Sequence, residues 1–208
     1  MKKFFRIFGA VGLLAGLLMI GGCGDDGATT LTTKSGQTIT GTVSGGTATV
    51  TATTSATTAS GFTALTIPAG TTFTDSGTTI TSMPAISVSV PTSGVTGVTS
   101  PSSTSTAAKY TLASADGAVD ISFSGYSKVT FGSAVTVTIP LTTTRTAGAS
   151  YSVLVIKADG TTYTTTGTVN SAGTGLTVSA TNFCWFVANP VLTTSTGATG
   201  SISTFGIK

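Results

Sequence analysis

Histidine and glutamate are absent from this 208-residue chain, and only 7% of its residues are charged, against about 25% in ordinary globular proteins. Without histidine there is no His-based triad, no c-type haem attachment and none of the usual zinc or non-haem iron sites, so neither metal nor cofactor is expected. Aspartate is the only side-chain carboxylate. A glycosidase needs two carboxyl groups about 5 to 9.5 Å apart. Asp75, Asp116 and Asp159 stand beside glycine or serine, where turns need them, and Asp120 alternates with apolar residues and should face solvent. A Ser–Lys dyad would draw on Lys109 or Lys128, but neither S-x-x-K nor G-x-S-x-G occurs. No D-x-D-x-D run is present for calcium. No basic stripe suits nucleic acid. Cysteine occurs twice, at Cys23 and Cys184, and tryptophan once, at Trp185.

Threonine supplies about a quarter of the chain, with glycine and serine also frequent. A β-branched hydroxyl suits the exposed face of a strand, so solubility rests on hydroxyls rather than charge. The N-terminus is different. Lys2, Lys3 and Arg6 precede an uncharged, largely apolar stretch over residues 7–20, the pattern of a secretory signal. As a helix it would span about 21 Å, short of the roughly 30 Å hydrocarbon core. It ends in Ile20-Gly21-Gly22-Cys23, which resembles the lipobox of bacterial lipoproteins. The resemblance implies cleavage after Gly22 and palmitate-type lipidation of Cys23, which becomes the first residue of the mature protein. Two or three acyl chains hold a protein stably without a spanning helix. It also implies a bacterial envelope location, with the outer membrane favoured because Gly24, not aspartate, follows the cysteine. Lys2, Lys3 and Arg6 would leave with the signal. Six basic residues then balance six aspartates, and Cys184 is left with no cysteine to pair with.

Four segments are expected: a signal peptide over 1–22, a lipidated cysteine and flexible polar tether over 23–36, an all-β domain over 37–191, and a Thr/Ser/Gly-rich tail or edge strand over 192–208. Apolar residues recur at every second position in several runs, broken by Gly and Pro turns, and no stretch beyond residue 22 has a 3.6-residue period. Ser44-Gly45-Gly46 predicts a hairpin, Pro68-Ala69-Gly70 a tight corner, and Asp116-Gly117 and Asp159-Gly160 further hairpins. Ile86, Val88 and Val90 predict a strand buried on one face. Pro91 to Ala108 predicts a loop or crossover. Tyr151–Ile156 and Phe183–Val187 are apolar on both parities, as central strands are, which makes Trp185 a core residue rather than a sugar platform. Many short strands without helices predict an antiparallel β-sandwich of the Ig-like class.

Leu65–Thr71, Val129–Pro140, Asp159-Gly160 and Asn182–Phe186 occur in an order that resembles the ZU-five-type sandwich. The likeness spans roughly residues 62–191 and implies a binding or scaffolding role, not an enzyme class. The expected function is therefore a membrane-anchored, non-catalytic envelope lipoprotein with an envelope protein or a glycan as partner; a carbohydrate-binding or adhesion module is the alternative. A third reading is a hydrolase or a self-cleaving domain. Asn182-Phe183-Cys184 is similar to a His-Phe-Ser cleavage segment of some ZU-five proteins, so Cys184 would attack the Phe183 carbonyl. The chain departs from that segment at both Asn182 and Cys184 and has no histidine base.

Overall fold

A computed structural model of the chain describes residues 31–91, 110–157, 162–194 and 199–201. These residues contain strands and no helix. In chain order the strands are β1 (Leu31–Thr38), β2 (Gly41–Ser44), β3 (Thr47–Val50), β4 (Thr54–Thr57), β5 (Thr63–Ile67), β6 (Thr72–Asp75), β7 (Ala85–Pro91) and β8 (Tyr110–Ser114). There follow β9 (Gly117–Phe123), β10 (Val129–Pro140), β11 (Ser150–Lys157), β12 (Thr162–Val169), β13 (Gly175–Asn182), β14 (Cys184–Ala188), β15 (Val191–Thr194) and β16 (Thr199–Ser201).

Thirteen strands form one antiparallel sheet, ordered β1-β7-β9-β14-β11-β12-β13-β10-β6-β3-β2, with β5 on β10 and β4 on β5. Strands β16, β15 and β8 form a small second sheet. The long strand β10 is shared between two neighbours on one edge: its start pairs with β6 and its later part with β5.

The sheet is strongly curled, and one link shows why. Phe183 alone joins β13 to β14, although β11 and β12 lie between these strands in the sheet. Three strand spacings of a flat sheet are about 14 Å, but a step of two residues reaches at most about 7 Å. Curling brings β9 and β14 against β10 across the core. It also brings the edge strand β1 against β4. There the Gln37 amide stands in for a strand: its Nε2 donates to the Thr57 carbonyl (2.9 Å) and its Oε1 accepts from the Thr57 N–H (2.7 Å). Two backbone groups on a sheet edge are thereby satisfied.

The core is built by alternation. On β10, Val129, Phe131, Val135, Val137 and Ile139 are buried while threonines point outward. Phe73, Phe123, Phe131, Phe183 and Phe186 form its aromatic centre. Ring centroids lie 4.9 Å apart for Phe131–Phe183 and 5.1 Å for Phe73–Phe131, within the range where tilted and edge-to-face pairs are favourable.

Several expectations hold and several are corrected. The hairpin at Gly45-Gly46 forms, both glycines having positive φ, and Gly70 (φ 82°) turns the predicted corner. β11 and β14 are internal strands, and Trp185 is buried. Alternation through Phe183–Val187 predicts Phe183, Trp185 and Val187 on one face and Cys184 and Phe186 on the other, but Phe183 does not share a face with Trp185 and Val187. It interrupts the strand and joins the aromatic centre, while those two residues lie on the opposite face. The tether expected over 23–36 gives way at Leu31 to β1, which pairs with β7; threonine-rich polar sequence makes an adequate edge strand. Asp116-Gly117 is not a hairpin, since β8 and β9 belong to different sheets. Its glycine is needed instead because a Cβ there would strike the Pro140 carbonyl oxygen. β7 is buried on both faces, Ser87 and Ser89 included, and Asp120 is only 8% exposed rather than solvent-facing. Alternation assigns a residue to a face; it does not reveal whether that face is covered. The segment from 92 to 108 and the Asp159-Gly160 turn lie outside the described residues.

Candidate functional site

At one end of the curled sheet the strand termini leave a cleft of about 100 Å³. Its floor is apolar, made by Val129 and Phe183, both buried. Its rim is polar: Ser76, Thr130 and Asn182, with Lys128 and Lys157. Local pairing sets these positions. Lys128 immediately precedes β10, and Thr130 pairs with Asn182 at the end of β13. The register then jumps to Val135 opposite Ala180. The extra residues on β10 form a bulge between these two pairs. Lys157 closes β11 opposite Cys184, the first residue of β14. The two lysines, far apart in sequence, thus line one cleft from the ends of different strands.

Hydrogen bonds hold the rim. The Thr130 hydroxyl donates to Asn182 Oδ1 (3.2 Å), and Asn182 Nδ2 donates to the Thr181 hydroxyl (3.1 Å). Asp75 Oδ1 accepts from the backbone N–H of Lys128 (2.7 Å), so this carboxylate is tied to the loop and does not line the cleft. Lys157 Nζ stands 5.7 Å from the ring centroid of Tyr163, a cation–π distance. Burial raises the pKa of the Tyr163 phenol, which stays neutral beside the ammonium. Neither Lys128 nor Lys157 forms an ion pair among the described residues.

The opposite end is neutralised. Arg145 Nη2 is 2.6 Å from Asp116 Oδ1, and Asn189 Nδ2 donates to Asp116 Oδ2 (3.2 Å). The backbone carbonyl of Asp116 accepts from both the N–H and the hydroxyl of Thr142. The hydrogen bond to Asp116, followed by the charge itself, raises the Arg145 pKa above its ordinary value.

Of the residues singled out by sequence, Phe183 lies in the cleft floor, and Cys184 is placed by its backbone pairing with Lys157; its side chain is outside the described residues. Gly22 and Cys23 also lie outside them, as do Lys109 and Asp159. Ser76 and Lys128 share the cleft. Asp75, Asp116 and Asp120 do not converge on it. Sequence reasoning missed the meeting of Lys128 with Lys157. The available signal was that each lysine borders a strand-forming run, at ends that antiparallel pairing places together. Among the described residues no group of three or more His, Cys, Asp or Glu side chains could hold a metal ion. Comparison with family models, with curated proteins and with solved structures finds no match for this chain.

Proposed function

We propose that this chain is a lipid-anchored bacterial envelope protein whose β domain binds or scaffolds rather than catalyses. In this reading Cys23 carries the acyl chains, the polar residues after it form a short tether, and the curled sheet is a β-sandwich of the Ig-like, ZU-five-like type. The facing of β9 and β14 against β10 around the phenylalanine centre supports the sandwich. The observation that carries the binding role is the cleft itself. It presents cations, hydroxyls and an amide around an apolar floor, while Asp75 and Asp116 are engaged in holding loops. That donor set suits recognition; proton transfer would require a base close to a nucleophile. Buried Trp185 disfavours a tryptophan sugar platform, which leaves a protein or an anionic group as the better partner class.

Membrane fractionation of cells producing the full chain or its Cys23→Ala form tests the anchor. The variant should leave the membrane or stall as precursor, and an unmodified Cys23 in the intact mass of the membrane-bound form would overturn lipidation. Chemical cross-linking on whole envelopes, followed by recovery of the full chain, tests binding. If no partner is cross-linked and deletion leaves the envelope unchanged, the scaffolding role fails.

A further inference from the structure

We propose that the Lys128/Lys157 cleft is a site for one phosphate group, either free phosphate or the phosphomonoester of a lipid headgroup. This rests on the binding role above and specifies its ligand chemistry.

The argument starts from scarcity. The chain has few charges, and its sheet faces are dressed with threonine. Of the four described cations, Arg145 is paired with Asp116 and Lys34 donates to the Thr57 hydroxyl at the β1–β4 seam. The other two line one cleft, without an ion pair and without a carboxylate in its lining. Two lysines that line one small cleft can each attract an anion seated in it.

Size and charge narrow the class. Pockets for drug-sized ligands run to about 300–1,000 Å³, so a cleft of about 100 Å³ takes a single small group. A phosphomonoester carries about −1.5 to −2 near pH 7, which matches two ammonium groups; one carboxylate would leave a cation unbalanced. Lysine is a recurrent phosphate ligand, acting as a point charge. The remaining rim groups are suited to phosphate oxygens. The Ser76 hydroxyl can donate, and Asn182 Nδ2 has a second hydrogen beyond the one given to Thr181, while the Thr130 hydroxyl holds the Asn182 amide in place. The neighbouring phenol is neutral, and Asp75, which flanks the cleft, gives Oδ1 to the Lys128 backbone N–H and keeps Oδ2 buried, outside the lining. The apolar floor of Val129 and Phe183 bars water from beneath the anion, which strengthens each charged contact.

The test is lysine-specific acylation followed by mass spectrometry, on the full chain in neutral detergent, with inorganic phosphate as the probe and chloride at equal ionic strength as control. Phosphate should slow acylation of Lys128 and Lys157 several-fold and leave Lys34 unaffected. Lys128→Gln or Lys157→Gln should weaken the protection of the remaining lysine about tenfold in phosphate concentration, the loss of one charge-assisted contact, while Lys34→Gln changes nothing. To separate the sources, the full chain is placed in phosphatidylcholine bilayers with or without phosphatidic acid. Protection by phosphatidic acid in the absence of free phosphate assigns the headgroup, and protection by free phosphate alone assigns the soluble ion. Equal protection of Lys34, or no protection by either source, overturns the site. A partner cross-linked in the envelope under that outcome leaves the scaffolding role standing, so the two failures are distinguishable.

Discussion

The two ends of the curled sheet treat charge in opposite ways. At one end Arg145, Asn189 and Thr142 all bond to Asp116, although Arg145 Nε is buried without a hydrogen-bond partner. At the other, Lys128 and Lys157 face a cleft whose lining contains no carboxylate. The same strands connect both: β9 runs from the Asp116 end towards Lys128, and β10 returns to the loop that holds Arg145. A bonded hub stiffens the junction where Gly117 passes beneath Pro140. Lys128 and Lys157 have no ion pair among the described residues, and Lys157 rests on the Tyr163 ring instead; in the proposal above they receive an anion. The contrast indicates that placement of charge, more than its amount, separates structural from binding chemistry in a chain this poor in charge.

The comparison can be broken most forcefully in the apolar layer beneath it. Phe183→Ala should cost about 3–5 kcal/mol, because the ring is buried in the phenylalanine centre. Denaturant unfolding reads this directly, and a loss under about 1 kcal/mol would place the ring outside the core. At the opposite end, Gly117→Ala should cost about 1–3 kcal/mol, as its Cβ meets the backbone of Pro140, which cannot rotate away. The same unfolding curve with a normal midpoint would mean that the Asp116 junction is loose.

Charge removal should then separate the ends. Asp116→Asn lowers the thermal midpoint, since Arg145 loses its ionic partner, and added salt narrows the gap between variant and parent. Lys128→Gln and Lys157→Gln should leave the midpoint unchanged or slightly raised at low salt. If a cleft-lysine variant loses as much as Asp116→Asn, the cleft is a structural hub too and the contrast fails.

The smallest effect is spectroscopic. The Tyr126 hydroxyl accepts from the backbone N–H groups of Thr81 and Ser82, and this lowers its pKa. Burial raises that of Tyr163. In an ultraviolet phenolate titration, Tyr126→Phe should remove an early-ionising phenol and Tyr163→Phe a late one. The sign for stability follows. The contribution of Tyr163 is present below its unfolded pKa and is lost as pH rises through the higher folded value, in the alkaline range. Reversed order in the titration would place Tyr163 in solvent.

Much of the strand layout was legible, because alternation is a local property. The hairpin at Gly45-Gly46, the corner at Gly70 and the internal positions of β11 and β14 all follow from period two and turn chemistry. Ser87, Ser89 and Asp120 were misjudged because their pattern is that of a half-exposed strand. A covered second face depends on which other segments pack there, and that is not written in the strand itself. Phe183 was misplaced for a related reason: parity holds within a strand, and the strand breaks at that residue. The cleft was the least legible feature. No spacing links Lys128 with Lys157; what links them is the shared end of an antiparallel sheet.

Sequence alone determined the antiparallel β class, through threonine abundance, two-residue periodicity and glycine turns. It also determined the chemistry withheld from the chain, since no fold supplies a missing histidine or glutamate. Tertiary structure decided the rest. The single-residue step at Phe183 is compatible only with a curled sheet, because a chain of that length cannot span the strands of a flat one. Curling carries the ends of β10, β11 and β13 to one place, and with them two lysines that sequence leaves unrelated.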